Sequence, residues 1–106
     1  METKKLFISQ PMNGLSNEEI EKERARILED LKKMVKDTNI ELIDSFFKDA
    51  PHDAKPLWFL GKSLELLSTA DIVYFGGDWK NKRGCKIEYE VAKQYLLPGV
   101  LIIVES

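Results

Sequence analysis

Four short apolar segments alternate with three helical segments along this chain, and this alternation limits the possible folds more than any other feature. The apolar segments cover residues 6–8, 40–43, 71–75 and 100–104. Because two parallel strands must be joined by a crossover, strands that alternate with helices imply a parallel sheet with helices on both faces. The pattern predicts a single β-α-β-α-β-α-β domain of the α/β class over residues 1–106.

Capping and turn residues mark the ends of the predicted helices. Ser16 and Glu19 form an S-x-x-E capping box that starts the first helix, and Pro56 suits the first turn of the second. The third helix is predicted over residues 84–96, ahead of the helix-breaking residues 98–99. The side chains predicted to face the core are Ile20, Ile27, Leu28, Leu31, Met34 and Val35 in the first helix, and Leu57, Leu60, Leu64 and Leu67 in the second.

The loops that follow the first and third strands are the two most unusual in the chain. In a flavodoxin-like three-layer fold with four parallel strands in the order 2-1-3-4, these loops meet at the crevice where α/β proteins bind ligands. The first loop, residues 9–16, contains Gly14 and ends at a helix N-terminus, which can receive an anion. The second, residues 76–84, offers flexible glycines, an aromatic ring, a carboxylate and three cations.

Composition excludes several classes of protein. One cysteine and one histidine cannot form an internal disulfide or a closed structural zinc site. Sixteen basic and eighteen acidic residues, spread along the chain with a net charge of -2, argue against a surface dedicated to nucleic acid. The N-terminal apolar run is too short for a signal peptide or a membrane span. We expect a cytoplasmic protein that binds a small molecule, without a metal or cofactor.

Glu88 is the carboxylate with the most informative position. It lies about one turn inside the helix that follows the third strand, near the edge of the sheet where α/β proteins bind ligands. One interpretation is a functional carboxylate. The other is a side chain that only complements the dipole of its helix.

Three segments resemble the nucleoside 2-deoxyribosyltransferase-like superfamily, which includes deoxynucleotide N-glycosidases. Residues 84–92, GCKIEYEVA, resemble its G-T-x-x-E-x-G-x-A signature, and residues 7–12, FISQPM, resemble its N-terminal loop. Residues 70–73, ADIV, match a third segment. The resemblance is greatest to small uncharacterised members that carry a glycine-tryptophan loop before the signature.

By this resemblance, Glu88 is the nucleophile that attacks the anomeric carbon of a nucleoside and forms a glycosyl-enzyme intermediate. The departing base also needs a proton donor, and Asp78 is predicted to serve. Phe7 replaces a tyrosine whose hydroxyl contacts the nucleophile, Lys82 replaces an aspartate that serves base recognition, and Glu90 replaces a glycine. The first two departures affect base exchange more than nucleotide binding.

The predicted substrate-binding residues come from the two unusual loops and from the end of the second strand. Trp79 is predicted to stack on a base, and Lys82 with Arg83 to hold a phosphate. The alternative for these charges is a solvated loop, and the alternative for Asp44 is a turn-forming role. The full set is Ser9, Gln10, Pro11, Met12, Gly14, Asp44, Gly77, Trp79, Lys82, Arg83 and Gly84.

Two functions are consistent with these residues. One is an enzyme that cleaves or transfers the N-glycosidic bond of a nucleoside or nucleoside monophosphate. The other is a non-catalytic nucleotide-binding or sensing module of the same fold. A homodimer or higher homo-oligomer is also expected, because residues 100–104 are apolar on both faces, as in an interior strand, and Trp58 and Phe59 widen the apolar surface of the second helix.

Overall fold

Four strands and three α-helices alternate in a computed structural model of the chain, which describes residues 2–47, 49–95 and 98–105. A short 3-10 helix lies in the loop between the third strand and the third α-helix. The elements are β1 (Thr3–Ser9), α1 (Asn17–Met34), β2 (Asn39–Leu42), α2 (Pro56–Leu67), β3 (Ile72–Phe75), the 3-10 helix (Trp79–Asn81), α3 (Arg83–Tyr95) and β4 (Leu101–Val104).

All four strands are parallel, and their order in the sheet is β2-β1-β3-β4. The predicted flavodoxin-like α/β fold and its strand order are therefore confirmed. Ser9, the last residue of β1, pairs with Phe75, the last residue of β3. The two loops that follow these strands consequently leave the same edge of the sheet side by side, at the point where the strand order reverses.

The sheet separates two apolar layers. Successive residues of a strand face opposite sides, so Leu6 and Ile8 belong to one layer and Phe7 to the other. The layer under α1 contains Leu6, Ile8, Ile27, Leu31, Ile40 and Ile72. The layer under α2 and α3 contains Phe7, Ile43, Leu67, Ala70, Val73, Phe75, Trp79, Cys85 and Ala92.

Both predicted helix starts are confirmed. Ser16 is the N-cap of α1, where its side chain accepts a hydrogen bond from the amide of Glu19 and the Glu19 carboxylate accepts one in return. Pro56 lies in the first turn of α2. The third helix begins at Arg83, one residue before the predicted start, and its predicted last residue, Leu96, lies outside the described residues.

Two side chains predicted to face the core are exposed instead. Met34 is 69% exposed and Leu57 is 75% exposed. Met34 is the last residue of α1, and Leu57 lies in the first turn of α2. Each position continues the apolar spacing of its helix but lies at the helix end, where that face no longer packs on the sheet. These two predictions were wrong.

The fourth strand lies at an edge of the sheet and pairs only with β3. Ile102 packs on one face of the sheet and Ile103 on the other, whereas Leu101 is 49% exposed and Val104 is 45% exposed. Within this chain the predicted interior strand is thus an edge strand with partly uncovered side chains.

Candidate functional site

A pocket with a cavity volume of about 900 Å³ opens at the carboxyl ends of the strands. Its size lies within the range of small-molecule sites, and its location is the one where α/β folds bind ligands. Four segments form it: the end of β1 with its loop, the residues after β2, the start of α2 and the start of α3. The lining residues are 7–13, 45–47, 55–57, 59–60, 63, 82–85 and 87–88.

Glu88 contributes a buried carboxylate to this pocket. Cys85, Glu88 and Ala92 form the buried side of α3, because residues three and four apart share one face of a helix. Glu88 is only 7% exposed, and its Oε1 accepts a hydrogen bond of 2.8 Å from the Ser9 hydroxyl. Burial raises the pKa of Glu88 to about 7, although the Ser9 hydrogen bond acts in the opposite direction.

The position of Glu88 argues against a role limited to the helix dipole. The stabilising effect of a carboxylate on a helix dipole fades beyond the first turn, and the first turn of α3 holds no acidic residue. Glu88 is the sixth residue of the helix and is directed inward, where a carboxylate is costly to bury. A buried carboxylate with a raised pKa in a cleft is instead typical of a functional site.

The start of α3 brings positive charge to the pocket. Lys82 and Arg83 line its wall beside Gly84, and Lys55, the N-cap of α2, also lines the pocket. Among the described lining residues, Glu88 is the only acidic one. Burial raises the pKa of the Cys85 thiol, although hydrogen bonding to Ser9 acts in the opposite direction, so the thiol stays protonated and Cys85 serves as a packing residue.

The loop after β1 forms another wall of the pocket with Ser9, Gln10, Pro11 and Met12. The Ser9 hydroxyl donates its hydrogen bond to the Glu88 carboxylate. Gln10 is only 7% exposed, and its Oε1 is buried without a hydrogen-bond partner among the described residues. An unpaired buried acceptor is costly, so the Gln10 amide is a candidate for contact with a ligand.

Five predicted site residues do not line this pocket, namely Gly14, Asp44, Gly77, Asp78 and Trp79. The exposed Asp78 accepts a hydrogen bond of 2.7 Å from the Asn81 side chain and does not line the pocket. Asp44 accepts a bond of 3.4 Å from the amide of Phe46, in keeping with the turn-forming alternative. Gly14 and Gly77 adopt positive φ angles of 80° and 61° in the two loops, which favours glycine at both positions.

Trp79 is a core residue and not a stacking platform. It is 6% exposed, it packs against the rings of Phe75 and Tyr89, and its indole nitrogen donates to the carbonyl of Glu105 at 3.1 Å. Trp79 begins the 3-10 helix and belongs to the apolar layer under α2 and α3, and it does not line the pocket. The prediction that Trp79 stacks on a base is therefore wrong.

Ser45 and Arg24 are among the side chains at the site that were not predicted from the sequence. Ser45 follows β2 and lines the pocket, and its hydroxyl accepts a hydrogen bond of 2.7 Å from the guanidinium of Arg24 on α1. Arg24 is 4% exposed and also donates to the carbonyl of Ile43 at 3.2 Å. The location of Ser45 at the carboxyl end of a strand was a usable signal. The spacing of Arg24 was another, because Arg24 lies four residues after Ile20 and three before Ile27, on the buried face of α1.

Comparison with known proteins gives a family and a fold. A family model described as a domain of unknown function, DUF4406, matches residues 4–101. The chain belongs to the DUF4406 family. The match includes every residue that lines the pocket, so the pocket lies entirely within the region that defines this DUF4406 domain. No curated protein matches the chain.

One solved structure is similar to this DUF4406 domain. It is described as a conserved protein from Enterococcus faecalis V583, and it has a TM-score of 0.63 and 15% sequence identity. The similarity covers 96% of this chain and 62% of that one, so this chain spans less than two thirds of its length. At this identity the likeness shows the fold alone.

The described part of the DUF4406 domain carries neither a candidate metal cluster nor a helix able to span a membrane. No cluster of three histidine, cysteine, aspartate or glutamate side chains suited to a metal ion occurs within residues 2–47, 49–95 and 98–105. Over the same residues, no helix has both the length and the apolar character needed to cross a membrane.

Proposed function

We propose that this domain cleaves or transfers the N-glycosidic bond of a nucleoside or nucleoside monophosphate, with Glu88 as the nucleophile. The observation that carries the proposal is a single buried carboxylate in a large pocket at the strand ends, held in place by Ser9. The resemblance of residues 84–92 to the signature of the nucleoside 2-deoxyribosyltransferase-like superfamily supports the same role for Glu88. Glycosidic cleavage passes through an oxocarbenium-like state, which a nearby carboxylate stabilises and then traps.

The hydrogen bond from Ser9 gives the two carboxylate oxygens of Glu88 different roles. Ser9 occupies Oε1, which leaves Oε2 to attack the anomeric carbon. As the C–O bond to Glu88 forms, the C–N bond breaks and the base departs with the bonding electron pair. Water or a second base then attacks the same carbon and releases Glu88 as a carboxylate. With water, one proton goes to the departed base and the product is a free sugar or sugar phosphate.

The proposal is tested by incubating the protein with a panel of ribonucleosides, deoxyribonucleosides and their 5′-monophosphates. We expect free base from at least one member of the panel, detected by chromatography, and none from a parallel incubation with Glu88→Gln. Release of no base from any compound, with protein and substrate at comparable concentrations, would contradict a glycosidase function.

Lys82 and Arg83 are expected to make a nucleoside monophosphate bind more tightly than its nucleoside. Hydrogen bonds to charged groups are worth about 1.5 to 3 kcal/mol, with less expected of Arg83 because it is exposed. Replacing both residues with alanine should remove the preference for the monophosphate in titration calorimetry. Lys86→Ala is the control, because Lys86 lies on the same helix but does not line the pocket. Equal affinities of the native protein for both ligands would exclude a phosphate role.

A non-catalytic nucleotide-binding module is the second candidate. It is favoured by one observation: no second carboxylate lines the pocket in the described part of the chain, and Asp78, the predicted proton donor, lies elsewhere. Tight binding of a nucleotide in calorimetry, without release of base from the same nucleotide, would select this function over the first.

We also propose that the chain forms a homodimer. The described surface leaves several large apolar side chains uncovered, among them Leu57, Phe59, Leu101 and Val104. Burial of such side chains against a second copy is favourable, and a symmetric pair is the commonest arrangement. Sedimentation at micromolar concentration should give twice the monomer mass of 12.2 kDa. A single species at the monomer mass would refute the dimer.

A further inference from the structure

Ser45 presents a hydroxyl with an unusual hydrogen-bonding state. It lines the pocket, it is only 4% exposed, and its Oγ lies 2.7 Å from a guanidinium nitrogen of Arg24. A guanidinium has donors but no acceptor, so Ser45 must be the acceptor in this bond. The Ser45 hydrogen is therefore free to be donated, and the Ser45 hydroxyl donates no hydrogen bond to another described residue.

Arg24 strengthens this donor. Arg24 is 4% exposed, its Nη1 has no hydrogen-bond partner in the described chain, and no ion pair neutralises its charge there. The charge of Asp44 acts on it only from a distance. A cation that donates to a hydroxyl oxygen draws electron density from the O–H bond, and a buried cation does so more strongly than a solvated one. Ser45 is thus a polarised donor at the edge of the pocket.

We propose that the Ser45 hydroxyl, polarised by Arg24, donates a hydrogen bond to the departing base and so supplies the leaving-group assistance that no second carboxylate provides. This inference rests on the proposed glycosidase function. Glu88 attacks the anomeric carbon, the C–N bond breaks, and the electron pair that moves onto the base is stabilised by the Ser45 hydrogen. The base takes its proton from the water that later hydrolyses the glycosyl-Glu88 ester, so Ser45 ends the cycle unchanged.

Leaving-group dependence separates this role from a role in packing. The natural probes are the 5′-monophosphates of the common ribonucleosides and deoxyribonucleosides, whose bases need assistance to depart. The activated probes are 4-nitrophenyl riboside 5-phosphate and 4-nitrophenyl 2-deoxyriboside 5-phosphate, because nitrophenolate departs without a hydrogen-bond donor. Ser45→Ala should lower kcat for the natural probes by about 10²-fold, yet change kcat for the activated probes by less than about threefold.

Three further variants sharpen the comparison. Ser45→Thr keeps the hydroxyl and should restore most of the rate with natural probes. Arg24→Met keeps an unbranched apolar side chain but removes the cation, so it should act selectively on the natural probes, as Ser45→Ala does. Ser68→Ala is the control, because Ser68 lies outside the pocket at the end of α2, where its hydroxyl donates to the carbonyl of Glu65. It should leave both classes of probe unaffected.

Each outcome of these experiments either supports or overturns the role of Ser45 as a donor to the departing base. Equal losses with natural and activated probes in Ser45→Ala would overturn the donor role and leave Ser45 a packing residue. An unchanged rate with natural probes would overturn it as well. If the native protein cleaves only the nitrophenyl probes, no assistance reaches a natural base and the inference fails while the nucleophilic role of Glu88 stands. If it cleaves neither class, the proposed function itself is contradicted and the Ser45 role falls with it.

Discussion

Replacing Glu88 with glutamine is expected to stabilise the protein at pH 8 by about 3 kcal/mol, because the native carboxylate must ionise there in a buried position. Glutamine has the same shape, can still accept the hydrogen bond from Ser9, and does not ionise. A substitution that abolishes the proposed activity should thus make the fold more stable, which is typical of residues kept for function rather than for stability.

The direction of this effect follows from proton binding. The pKa of Glu88 is about 7 in the folded chain, against an ordinary value of 4.5. Between these two pH values the folded protein binds more protons than the unfolded chain, so its stability falls as the pH rises. The loss begins near pH 4.5 and is complete above pH 7, at about 1.4 kcal/mol for each unit of pKa difference.

Urea unfolding at pH 4 and at pH 8 measures the effect. The native protein and Glu88→Gln should have similar free energies of unfolding at pH 4 and differ at pH 8. Glu90→Gln is the matched control, since Glu90 lies exposed on the same helix and Gln94 and Lys93 lower its pKa. Glu90→Gln should still lose stability between pH 4 and pH 8, as the native protein does, because it retains Glu88. A constant difference between native protein and Glu88→Gln at both pH values would show that Glu88 is not buried as described.

Glu88→Gln is also expected to lower the rate of base release by about 10³-fold or more, because an amide neither attacks the anomeric carbon nor carries the charge that stabilises the oxocarbenium-like state. The affinity for a nucleoside monophosphate should change little, since the Ser9 hydrogen bond and the cations at the start of α3 remain. Single-turnover kinetics and calorimetry on the same variant measure the two quantities. A variant with native turnover would remove Glu88 from the mechanism.

The pH profile of base release by the native protein checks the protonation state that the proposed role of Glu88 requires. A nucleophile must be ionised, so kcat/KM should rise with pH and level off above the Glu88 pKa of about 7. A rate that falls through the same pH range would instead assign Glu88 the role of a proton donor.

Sequence patterning was sufficient for the architecture because each local signal agreed with the others. The alternation of strands and helices predicted the parallel sheet, which the structure confirms. The capping box at Ser16 marked the start of α1, and the proline at position 56 marked the start of α2; the structure confirms both. The failures lie at helix ends. Periodicity continues through Met34 and Leu57, but whether the sheet reaches those positions depends on element lengths and packing that a single sequence does not contain.

The site was predictable in part for the same reason. Glu88 lies inside a periodic helix whose start is marked, so its place at the strand ends follows from topology. Trp79 and Asp78 lie in a loop, and the direction of a loop side chain depends on a local turn, here a 3-10 helix that buries the indole. Ser45 is a polarised hydrogen-bond donor only because of its contact with Arg24, which is 21 residues away in the sequence. Such long-range pairs are not visible in periodicity.

The most direct test of the central claim is the intact mass of the protein after brief mixing with the nucleoside monophosphate that it cleaves fastest, followed by acid quenching. A nucleophilic Glu88 predicts a population heavier by one sugar phosphate, with the added mass located by peptide mapping on the segment that contains Glu88, and no such population in Glu88→Gln. Release of free base by the native protein without any covalent adduct, or an adduct on a different residue, would contradict the account.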